Sequence, residues 1–76
     1  MNKPRRKTLA DIRTQISELR DLLEEVTGEE EEYRDNMPEN LQGSERYEKA
    51  DEACDNLNSA LDSIDEALEY IESAEA

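Results

Sequence analysis

The chain has no histidine, no phenylalanine and no tryptophan, and it carries a single cysteine, two glycines and two prolines in 76 residues. Without histidine and with one thiol, neither a Cys/His zinc centre nor an internal disulfide can be assembled. Two isolated glycines leave no Gly-rich phosphate loop, and no apolar run approaches the ~18 residues of a membrane-spanning helix. Lysine and arginine number 9 against 22 aspartates and glutamates, a formal net charge of −13. That balance disfavours direct nucleic-acid binding, because phosphates are neutralised by basic side chains. Large apolar residues are scarce too. Leu, Ile and Val total 13, about 17% of the chain, and below about 20% with high net charge, composition alone reads as intrinsic disorder.

What is present reverses that reading. From residue 9 the apolar positions are Leu9, Ile12, Ile16, Leu19, Leu23 and Val26, alternating three and four apart as in a heptad seam. The same count passes Glu30 and reaches Tyr33 and Met37. The spacing predicts a helix over 8–36, with Thr8 as its N-cap and Pro38 ending it. Residues 1–7 are read as a basic tail: Lys3, Arg5, Arg6 and Lys7 have no apolar stretch behind them, so they do not form an export signal. A cytoplasmic location is expected.

The segment 37–43, Met37-Pro38-Glu39-Asn40-Leu41-Gln42-Gly43, has the strongest punctuation and is the expected connection. Met37 and Leu41 are expected to cap the end of the hairpin. Ser44 is a plausible N-cap for a second helix over 44–75. Its seam is Tyr47, Ala50, Cys54, Leu57, Leu61, Ile64, Leu68 and Ile71, and an alanine recurs every seven residues beside it, at Ala53, Ala60, Ala67 and Ala74. A short polar connection between helices of similar length gives an all-α, antiparallel two-helix hairpin of coiled-coil character. Centred near residue 40, the hairpin would pair Leu19 with Leu61 and Val26 with Cys54, while the layers Glu30–Ala50 and Tyr33–Tyr47 beside the loop would fray first. One shared seam makes a small core, so a dimer forming a four-helix bundle stands beside a monomer as an alternative. Leu22 and the alanine column each offer room for a further contact.

The acids of the second helix form two columns, Glu48, Asp55, Asp62 and Glu69 in one and Asp51, Asp65 and Glu72 in the other, with Asn58 filling the gap. Together they set a carboxylate about every 5 Å along one face. After Lys49 there is no further base, while residues 51–76 hold nine acids. Like charges at these spacings oppose helix formation, and acids in the last turn face the negative end of the helix dipole. Folding does not ask for this arrangement, so the row is a candidate partner-binding surface, with Tyr70 as a further exposed contact. Lys3, Arg5, Arg6 and Lys7 would lie beside Glu72 and Glu75 in an antiparallel hairpin. Residues 8–76 then carry 5 bases against 22 acids, a net of −17.

Catalytic chemistry has no carrier in this sequence. General acid/base work needs a carboxylate displaced from its usual pKa by burial or a close partner, and only Glu30 enters a seam, where it reads as a register-setting residue. No nucleophile constellation, calcium loop or Glu-x-x-His pair is present. No catalytic residue, metal ligand or cofactor is assigned, and Cys54 reads as a small core residue.

The stretch Asp35-Asn36-Met37-Pro38-Glu39-Asn40-Leu41-Gln42-Gly43-Ser44-Glu45, followed by the Ala-rich acidic heptads ending Glu66-Ala67-Leu68-Glu69-Tyr70-Ile71, resembles small acidic helical proteins carried by phages and mobile elements of Gram-positive bacteria. The resemblance covers about residues 29–74 and rests on the Asn-Met-Pro-Glu-Asn-Leu connection. It implies a helical hairpin and a phage or prophage setting. It carries over no site residues, because no function is attached to that group. Gly28 and the basic start depart from the pattern without disturbing the fold it implies.

Two functions of different class are compatible with these features. The first is a non-enzymatic phage-type inhibitor whose acidic row imitates nucleic-acid charge and blocks the DNA- or RNA-binding channel of a host defence nuclease, a CRISPR effector or restriction enzyme. Its partner would be a basic nucleic-acid-binding protein rather than nucleic acid or a membrane. The second is a self-associating structural or assembly module, a homodimer whose charge serves solubility alone.

Overall fold

A computed structural model describes all 76 residues and consists of two long helices, α1 (Lys3–Asp35) and α2 (Glu45–Glu75), packed side by side in an antiparallel hairpin. The hairpin is a rod of 59 × 15 × 12 Å. No helix is long and apolar enough to cross a membrane.

The first helix starts earlier than its charge pattern suggests. Asn2 is the N-cap, its side-chain oxygen accepting from the Arg5 N–H at 2.9 Å, and Pro4 occupies the first turn, where a missing N–H leaves no bond unmade. The basic stretch is therefore helical and is not a tail. Thr8 lies inside the helix, its hydroxyl donating to the Pro4 carbonyl at 3.1 Å, so it does not cap. At the other end the Asn36 N–H closes the last turn on the Glu32 carbonyl. Pro38 then turns the chain into a single 3-10 turn, Glu39–Leu41. Gly43 takes φ +87°, a left-handed conformation that L-residues rarely adopt, and delivers Ser44 to cap α2 by accepting from the Tyr47 N–H.

All eight seam positions of α2 face α1. Ala50, Cys54 and Leu61 are buried, and Tyr47, Leu57, Ile64, Leu68 and Ile71 are half-buried. The first helix departs from expectation. Leu9, Ile16, Leu23 and Glu30 approach α2, but the column Ile12, Leu19, Val26 and Tyr33 is exposed. In its place stands the next column round the helix, Arg13, Arg20, Thr27 and Arg34. Direct layers such as Leu19 over Leu61 and Val26 over Cys54 are thus replaced.

The substitution is possible because arginine is apolar along its stem and charged only at its tip. The stems can lie across the α2 seam while the guanidinium groups reach acids at its rim. Thr27, 1% exposed, is small enough for a close helix approach, and its hydroxyl is satisfied by donating to the Leu23 carbonyl at 2.8 Å. Residue numbers sum to 85 for both Arg20–Asp65 and Arg34–Asp51, so one register holds at two levels. Side chains tilt toward the N-terminus of their own helix, so such antiparallel pairs meet when the backbone register is near 80. Glu30 and Ala50, which share a cleft, stand at that register.

Burial is also distributed differently from the expected fraying order. Thr27, Met37, Ala50 and Cys54 are buried in the loop-proximal half, Leu61 near the middle, and no residue is fully buried toward the open end. The thioether of Met37 plugs the loop end where weak layers were expected. Leu61→Ala should lower the unfolding free energy by about 2–3 kcal/mol, a large part of the roughly 3–5 kcal/mol that a core of this size supplies. Gly28→Ala, mid-helix with nothing within 4 Å of the added Cβ, should raise it by about 1 kcal/mol. Urea unfolding followed by circular dichroism measures both; a neutral Leu61 variant or a destabilising Gly28 variant contradicts this packing.

Candidate acidic interaction face

The acids of α2 lie on the outer side of the helix and along one rim of the hairpin, held there by the seam on the opposite side. Glu48, Asp55, Asp62, Glu69 and Glu72 are exposed and form no ion pair. Asp51 and Asp65 are not free, in contrast to the sequence expectation of an unpaired row. Asp65 receives two hydrogen bonds from Arg20, from Nε at 2.8 Å and Nη2 at 3.0 Å, in a fork that suits a carboxylate. Asp51 accepts from Arg34 Nη1 at 3.0 Å. Asn58, in the gap of the row, turns its amide inward to the Cys54 carbonyl at 3.0 Å.

The three arginines act as a rim of clamps. Arg13 reaches Glu75 through Nε at 2.7 Å, which places a cation at the C-terminal end of α2, where the helix dipole is negative. Arg20 also pairs with Glu24, and Arg34 with Asp35. Hydrogen bonds donated to Glu75, Asp65 and Asp35 respectively hold the Arg13, Arg20 and Arg34 guanidinium groups even more firmly protonated than usual. Glu75 is therefore taken by Arg13, although it also borders a cleft with Lys3, Arg6 and Lys7.

α1 also contributes to this face, through residues that the α2 pattern alone does not contain. Glu18 and Asp21 line an open groove with Arg13, Leu68, Glu69 and Glu72. Only the antiparallel register brings them there, since they lie some fifty residues away in sequence. The face thus comprises five unpaired α2 acids joined near the open end by two from α1. Tyr70 is exposed on the outside of α2, as its position implied.

With two members neutralised, the free carboxylates of α2 stand mostly about 10 Å apart in helix rise, from seven residues at ~1.5 Å each. Duplex DNA carries a charge about every 1.7 Å of axis. The face therefore shares the sign of nucleic-acid charge but not its spacing. No three carboxylate or thiol groups converge closely enough to ligate a metal ion. No protein-family model, curated protein or solved structure matches the chain.

Cys54, 1% exposed, sits beneath this face in the layer of Thr27. Burial pushes its thiol above the ordinary range, against the opposing pull of Arg34. The native state thus keeps a proton that the unfolded chain releases, so this contribution to stability is full below the ordinary thiol pKa and is lost as pH rises through the folded value. Alkylation by iodoacetamide should be at least about a hundredfold slower in the folded chain than in urea, the opening penalty of a core worth about 3–5 kcal/mol. Equal rates would show that this layer is open.

Proposed function

We propose that the protein is a non-enzymatic acidic inhibitor of phage type, which occupies the basic nucleic-acid channel of a host defence nuclease such as a CRISPR effector or restriction enzyme and competes there with DNA or RNA. The observation that carries this reading is the unpaired column Glu48, Asp55, Asp62 and Glu69 on a 31-residue helix that has no base after Lys49. Basic channels hold nucleic acid mainly through backbone charge, and a rigid helix with a continuous negative field competes by the same attraction. Rigidity favours binding, because a face already fixed on a hairpin loses little conformational freedom when it docks. The phage-like connection around Met37-Pro38 supports the same setting.

Binding of this kind should weaken steeply with ionic strength. The triple variant Asp55→Lys, Asp62→Lys and Glu69→Lys reverses the free column and spares the pairs of Asp51 and Asp65, so the hairpin stays intact. Affinity capture from a bacterial lysate at low and high salt, followed by DNA-cleavage assays with the captured enzyme, is the test. The expected result is a nuclease retained at low salt, inhibited by the native chain and unaffected by the triple variant. Equal capture by the triple variant, or capture of no nucleic-acid-binding protein, would overturn the proposal.

A further inference from the structure

Turning α1 about its axis leaves five large apolar side chains on its surface: Ile12, Leu19, Leu22, Val26 and Tyr33 are between 41% and 65% exposed. Their spacing of seven, three, four and seven residues sets them in one stripe about 30 Å long. The alanine column of α2 runs along the same flank. Tyr33 shares a cleft with Arg46 and Lys49, and Arg46 is the first member of the seven-residue column that continues through Ala53, Ala60, Ala67 and Ala74. Tyr33 is likewise the last member of the column Ile12, Leu19 and Val26. Two parallel columns therefore line this flank, one of large apolar residues and one of alanines, and neither contains an acid.

We propose that this flank is the interface of an antiparallel homodimer, in which α1 packs on α1 and the alanine column of α2 on its counterpart. The occupant follows from charge. α1 begins with Lys3, Arg5, Arg6 and Lys7 and ends with Glu29–Glu32 and Asp35, so it is positive at one end and negative at the other. With Leu19 on the two-fold axis, Ile12 meets Val26 of the second copy, Arg5 of the same seven-residue column lies level with Tyr33, and the basic start of each α1 runs beside the acidic end of the other. A parallel arrangement would set acidic loop end against acidic loop end. Size agrees as well. A face 59 Å long and 15 Å wide offers roughly 900 Å², against about 800 Å² per partner in a standard interface. Alanines let two helices approach closely, and the result is a four-helix bundle with its free acids on the outside. The interface lies away from the acidic row of α2, with only Leu22 bordering the α1 acids Glu18 and Asp21, so it holds whether or not that row has a partner.

Sedimentation equilibrium over a micromolar concentration range is the test. The native chain should sediment as a dimer of its 8.8 kDa unit. Leu19→Glu with Val26→Glu should be monomeric while keeping its helical circular dichroism, because both side chains are exposed within one hairpin. Reversal of the basic start, K3E/R5E/R6E/K7E, should weaken the homodimer by at least about tenfold at low salt, and mixing with E29K/E31K/E32K/D35K should restore a heterodimer. A monomer at all concentrations, a dimer that survives Leu19→Glu with Val26→Glu, or a dimer indifferent to reversal of the basic start would each overturn the proposal.

Discussion

An apolar strip on α2 needs a cover, and part of the cover that α1 supplies is made of arginine stems. Those stems are apolar and the side chains half-buried, while their heads hold Glu75, Asp65 and Asp51 at its rim. Much else in the molecule follows from that choice. It turns α1 about its axis, sends Ile12, Leu19, Val26 and Tyr33 to the surface, and takes two acids out of the outer row. Three of the chain's few basic residues are used in holding the two helices together, and none forms an ion pair with Glu48, Asp55, Asp62 or Glu69.

How much of this was legible in the sequence differs between the helices. On α2 every seam position carries an alanine, cysteine, leucine, isoleucine or tyrosine, and its neighbouring columns are acidic or alanine, so one face alone could pack. α1 was ambiguous. The column Leu9, Ile16, Leu23 and Glu30 belongs to two seams, and periodicity favoured the apolar neighbour column over Arg13, Arg20, Thr27 and Arg34. The observed choice comes with three ion pairs joining residues 62, 45 and 17 positions apart, which no local pattern contains. The start of α1 carries a helix-opening signature, Asn2 followed by Pro4, which the run of bases after it masks. The connection was read more securely, because Pro38, Gly43 and Ser44 each act through their own backbone chemistry.

The acidic face was partly legible for the same reason. Which residues lie outside follows from the α2 seam. Which of them remain free depends on arginines of the other helix, and the addition of Glu18 and Asp21 depends on the antiparallel register. The helix dipoles complete the picture. The bases at the start of α1 and the acids at the end of α2 each oppose their own dipole, but the hairpin lays these two ends side by side. Each helix thus offsets the charge that is misplaced on the other.

The uneven burial along the rod also bears on how the chain folds. Contacts nearest the connection close the shortest loops and lose the least chain entropy, and here they are also the ones with buried Met37, Ala50, Cys54 and Thr27. Cheap closure and strong packing coincide, so the helices should zip from the connection toward the termini at the rapid rates of local helical topologies. Unfolding should run backwards along the same path, with the ends parting first like the tips of tongs. A hairpin built this way holds a fixed hinge at one end and a yielding pair of arms at the other.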